Sequence, residues 1–215
     1  MNSGLLLSAL CGGLLVLAAE YLRRQKKINN ETTRKIIHIA HALTVATWPF
    51  FTSYGFIIAA EAIFIAVVIL ARQWGILQAL RNVKRKSWGE VFFGLAVIAL
   101  ALIKPGPEIF LAAVLHLGLA DGMATIVGQR VKSKAYFVFG QRKTVAGTAA
   151  FALTSITIIA SLAIFSELAF TTNSYLLSLL VFPIVTALAE NTSPYGSDNL
   201  SVPLLVLGIF TILGL

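Results

Sequence analysis

The stretch Leu119–Phe151, LADGMATIVGQRVKSKAYFVFGQRKTVAGTAAF, sets an acid inside an apolar run, follows it with a glycine-spaced basic loop and then opens a second apolar run. An intramembrane carboxylate is costly enough to need a cavity, a partner or a site, so Asp121 is a functional candidate. Gly128 is expected to let the chain leave the helix. Arg130, Lys132, Lys134, Arg142 and Lys143 then supply five cations before Thr144, Gly147 and Thr148 open the next helix. Such a place suits a polyanion.

Outward from this stretch, composition agrees. With 58% hydrophobic and 12% charged residues in 215, the chain cannot coat a soluble globule with polar surface. It reads as an all-α integral membrane protein, a polytopic helical bundle forming a single membrane domain over 1–215. A helix needs about 20 apolar residues to cross ~30 Å of hydrocarbon. Eight candidate spans meet or approach this: 4–22, 34–52, 54–71, 90–103, 108–128, 146–166, 174–190 and 199–215. Seven remain if one short segment is re-entrant. With the N-terminus outside, sixteen of the seventeen Lys and Arg face the cytosol and Lys104 alone does not. The positive-inside rule therefore explains the net charge of +8 without a nucleic-acid partner. The first run has no basic residue ahead of it and is expected to be a retained anchor. Cys11 is the one cysteine, which excludes an internal disulfide. Over Arg72–Glu90, Trp74, Leu77, Leu80 and Val83 recur at near-helical spacing, as in a helix lying in the interface.

The polar groups fall on one side of this topology. Arg34, His38 and His41 are spaced i, i+4 and i+7, one stripe at the cytosolic start of the second span. Gln141–Thr148 places cations ahead of a helix whose first N–H groups and dipole attract anions. No Gly-x-x-x-x-Gly-Lys-Ser/Thr loop occurs, so phosphates need another cradle. Asp121 is suited to hold Mg²⁺ against them. Glu190, Asp198 and Asn199 return to the cytosolic side after the seventh span, where Asp198 or Asn199 could instead cap the last helix. Glu61, in the third span, is expected to be protonated or paired with His116.

Four of these elements, Arg34-Lys35-x-x-His38, Leu119-Ala120-Asp121 with Gly128, Lys143-Thr144-x-x-Gly147-Thr148, and Glu190 with Asp198-Asn199 and Pro203, together resemble the dolichol, polyprenol and phytol kinase family, which includes CTP-dependent diacylglycerol kinases. The resemblance implies transfer of the γ-phosphoryl of CTP to the hydroxyl of a membrane lipid alcohol (phytol, a farnesol-like alcohol, a polyprenol, dolichol or diacylglycerol) with Mg²⁺ as cofactor. In that reading Asp121 and Glu190 bind the metal. Arg34, Lys35, Gly128, Arg142, Thr144, Gly147, Thr148 and Asn199 bind the nucleotide, with Lys143 at the reacting phosphate and Asp198 or His38 accepting the proton. The enzyme is expected in a prokaryotic plasma membrane with its active site on the cytosolic face. Two other readings remain: a CTP:phosphatidate cytidylyltransferase, whose signature also pairs an intramembrane Asp with Lys-Thr-x-x-Gly, and a small transporter using Glu61, Asp121 and Glu190 as coupling carboxylates.

Overall fold

The structure is a computed structural model that describes residues 3–25, 27–28, 30–74 and 88–215. Helix α1 is Ser3–Arg24, α2 Asn30–Ala46, α3 Tyr54–Trp74 and α4 Gly89–Ile103. Helix α5, Pro107–Leu115, continues through a π-helical turn, His116–Ala120, into α6, Asp121–Arg130, as one rod. Strands β1, Ala135–Val138, and β2, Gln141–Thr144, form an antiparallel hairpin, and α7, Val145–Phe165, α8, Thr172–Thr192, and α9, Asp198–Leu213, complete the chain. The interfacial helix expected over 72–89 lies, but for its two ends, outside the described residues.

The helix boundaries follow local chemistry. Pro49, in a short 3₁₀ turn at Trp48–Phe50, lacks the N–H a longer α2 would need, so α2 stops at Ala46 rather than near Thr52. Pro107 opens α5 at a position whose N–H would be unpaired anyway. Thr171 and Ser174 cap each other at the start of α8. The rod and α3, α7 and α8 are each long and apolar enough to cross a bilayer. The protein is thus a helical membrane protein.

The rod is its axis: 61% of the rod's apolar window is buried, against 22%, 28% and 28% for α3, α7 and α8. Around it, Phe93, Phe110, Phe151, Phe182 and Phe210 are fully buried, drawn from α4, α5, α7, α8 and α9. Where the sequence suggests a loop between Gly128 and Thr144, the chain instead folds as the hairpin, registered Tyr136 with Lys143 and Phe137 with Arg142. Its two-residue turn, Phe139–Gly140, has positive φ at both positions, the conformation that matches the twist of paired strands.

Candidate active site

Asp121 is presented by an interruption in the rod. The π-helical turn ends immediately before it, and such insertions are common at functional positions because they re-aim the next side chains. Gly118 and Gly122 flank Asp121 four residues apart, a Gly-x-x-x-Gly pattern that lets another helix backbone come close. A Cβ on Gly118 would stand 1.9 Å from the Cβ of Ala42, and one on Gly122 2.3 Å from Cγ1 of Ile39. Helix α2 therefore lies directly on the rod, and Lys35, one turn before Ile39, donates to the Asp121 carboxylate. His38 Nε2 is 3.2 Å from the Leu117 carbonyl, to which it donates, and 3.5 Å from Asp121. It stands behind Asp121 and is buried.

The hairpin closes the site from the other side. The pair Tyr136 and Lys143 shares one hairpin face, which is fastened to the end of α8. Lys143 Nζ donates to Glu190 Oε1 at 2.5 Å and to its carbonyl at 3.2 Å, and Tyr136 donates to Asn191 Oδ1 at 2.8 Å and is also bonded to Thr148. Gln141 adds a bond to the Ser193 carbonyl at 3.4 Å. Thr144 caps α7, accepting from Gly147 N–H at 3.1 Å. Gly128 does not release the chain; α6 runs on to Arg130, and the missing side chain instead leaves room for Thr144 and Gly147, since a Cβ there would meet Thr144 Oγ1 at 2.8 Å. The N–H groups at the start of α7, expected to face an anion, are engaged within the protein: Val145 donates to Lys134 O, Ala146 to Ser133 Oγ and Gly147 to Thr144.

Asp198 and Asn199 open α9 without capping it; Ser197 holds the cap position, and Asn199 Nδ2 donates to the Gly89 carbonyl at 2.8 Å, tying α9 to α4. Asp121, Glu190 and Asp198 each offer an oxygen within 4.8 Å of the others. Three carboxylates this close, with Asp121 and Glu190 buried, repel one another unless a cation sits among them, and all-oxygen donors suit a hard ion such as Mg²⁺. The donor set fits that metal.

These residues share one cavity of about 220 Å³. Its walls include Arg34, Lys35, Asp121, Gly128, Arg142, Lys143, Thr144, Gly147, Thr148, Glu190, Asp198 and Asn199, that is, every expected site residue except His38. Arg142 reaches the rim from the hairpin face opposite Lys143. Over 199 residues the chain is 34% identical to the phytol kinase of Synechocystis sp., an alignment covering 89% of this chain and 83% of that protein. The chain belongs to the phytol kinase family. No family model and no solved structure matches it.

A member of the phytol kinase family is a lipid kinase with an alcohol group as acceptor, and it takes its phosphoryl group from a nucleotide. In this member the cavity has a second end that the sequence reading overlooked. Arg34 donates to Glu31 at 2.7 Å and approaches Glu90 at 3.5 Å, while Arg72 binds Glu90 at 2.5 Å with its guanidinium 4.9 Å above the Trp88 ring. Glu31 and Glu90 carry no sequence signal beyond their helix N-terminal positions, which any first-turn acid shares. The Gly118–Gly122 spacing was readable. Glu61 is paired, but with His41 at 3.0 Å and not with His116, which is already engaged by Ser155 and by the Ala112 carbonyl, each at 2.8 Å.

Proposed function

We propose that the chain is a CTP-dependent kinase of an isoprenoid alcohol such as phytol, working at the cytosolic face of a prokaryotic plasma membrane. The observation that carries this reading is the meeting of Asp121, Glu190 and Asp198 in a cavity that also holds Lys35 and Lys143. Phosphoryl transfer asks mainly for positioning and charge neutralisation, which such a cavity supplies. Asp121 and Glu190 would hold Mg²⁺, which when bound neutralises phosphate charge. Each of these carboxylates is gripped by a lysine in this structure, so the cations that face phosphate are the partners of the acids that face metal. Lys35, Arg34 and Lys143, with Arg142 at the rim, neutralise the triphosphate, and the dipole of α7 adds to their field. Asp198 accepts the alcohol proton. It lines the cavity beside the two acids that would hold the metal, whereas His38 lies outside the cavity wall.

The eight helical intervals among the described residues and the distribution of Lys and Arg support a single membrane domain of eight spans with the N-terminus outside. The alcohol enters from the bilayer, so that only its hydroxyl reaches the carboxylates. Purified protein incubated with γ-labelled CTP, UTP, ATP or GTP and with phytol, farnesol, a polyprenol or diacylglycerol tests the reading. Label should pass to an isoprenoid alcohol from CTP, with CDP released. Release of pyrophosphate would mean cytidylyl transfer, and label passing equally from ATP would refute the nucleotide assignment.

A further inference from the structure

We propose that the outer face of the β-hairpin is a bilayer anchor, with Phe137 and Phe139 seated among lipid chains and the neighbouring basic residues at anionic headgroups. The register divides the hairpin. Tyr136, Lys143 and Gln141 face inward and are bonded to Asn191, Glu190 and Ser193, whereas Phe137 faces the other way beside Arg142, whose long side chain reaches back to the cavity, and Phe139 sits at the turn. These two phenylalanines are 72% and 73% exposed. A two-stranded hairpin cannot cover large apolar side chains by itself. Phe139 also occupies a left-handed turn position (φ 47°) that favours glycine or asparagine, so the ring is held there against its backbone preference.

The occupant is argued from position and charge. The hairpin joins the ends of two segments that are long and apolar enough to span, the rod at Arg130 and α7 at Val145, so it lies at the boundary of the membrane. Arg130, Lys132 and Lys134 are exposed on its approach, next to Val131 at 50% exposure. Apolar rings beside cations are what an interface with anionic lipid selects. Because the inner face is fastened to α8, lipid contact at the tip fixes the position of Lys143 as well.

The test uses the full chain in nanodiscs and reads depth, not activity, so its outcome is separate from that of the kinase reading. In a Cys11→Ser background, nitroxide labels are placed at Phe137→Cys or Phe139→Cys, with Leu153→Cys on the outer face of α7 as the lipid reference. Both tip labels should be relaxed by dissolved oxygen more than by a water-soluble nickel chelate, as at Leu153, and sit deeper in phosphatidylglycerol discs than in phosphatidylcholine discs. Lys132→Gln with Lys134→Gln should remove that lipid dependence. Dominant relaxation by nickel at both tip positions would overturn the anchor, whether the tip then faced water or a partner protein. A lipid dependence that survives the lysine substitutions would overturn the headgroup contact.

Discussion

Replacing Gly122 by alanine tests how Lys35 reaches Asp121. The added Cβ would stand 2.3 Å from Cγ1 and 2.5 Å from Cδ1 of Ile39. Ordinary carbon contacts begin at about 3.5 Å, so roughly 1.2 Å must be found. Isoleucine in a helix has one strongly preferred χ1, which leaves little to give by rotation, and overpacking of this kind costs about 1–3 kcal/mol. Alanine returns up to ~1 kcal/mol of helix propensity, so the net change in stability should be small. The activity change should not be. If α2 backs away by about 1 Å, Lys35, one turn from Ile39, moves with it, and a misplacement of that size costs on the order of 100-fold in rate. Steady-state phosphorylation of phytol and thermal unfolding would be measured for Gly122→Ala, Ile39→Ala and the double variant. Ile39→Ala should restore most of the rate lost by Gly122→Ala, because it removes the obstructing carbons. The reasoning fails if Gly122→Ala keeps its rate within a few-fold, or if the double variant is as slow as the single one.

Asp121→Asn should reduce transfer to below about a tenth of the parent rate, a loss of more than ~1.4 kcal/mol of transition-state stabilisation, with the same elution profile on size exclusion. Lys143→Ala should raise the nucleotide KM and lower kcat while leaving the lipid KM in place; unchanged nucleotide parameters would remove the hairpin from the site. Chelation of divalent metal should weaken nucleotide binding itself, measured by equilibrium dialysis, because Lys35 and Lys143 are held by Asp121 and Glu190 in its absence. Finally, single cysteines at Lys134 and Tyr195 in a Cys11→Ser background should react with an impermeant reagent from the cytosolic side; labelling of position 134 from outside would break the topology.

What sequence could give was decided by the range of the forces involved. Helix intervals follow from runs of apolar residues, a local property, and they were legible to within a few residues except at α2, which starts earlier than its apolar run and stops earlier because Pro49 ends it. The gathering of Asp121, Lys143, Glu190 and Asp198 was legible too, because charge bias orients loops and so places distant polar groups on one side. Contacts that depend on exact approach were not. Gly128 looked like a helix exit, since glycine alone does not reveal whether it frees the backbone or admits a neighbour. The hairpin hid behind a turn carrying phenylalanine where asparagine would have announced it. Glu61 could be seen to need a partner, but choosing His41 over His116 requires knowing that Ser155 of α7 already engages His116.

The cavity wall is assembled from residues as far apart as Glu31 and Asn199, and two of its pieces, Asp198 and the bond from Asn199 to Gly89, depend on α9, which is synthesised after α2, the rod and the hairpin. During membrane insertion those earlier elements can therefore be in place while the carboxylate cluster is still incomplete. The three acids come together only when α9 packs against α4, so a nascent product, or one clipped ahead of α9, would carry Lys35 and Lys143 without Asp198.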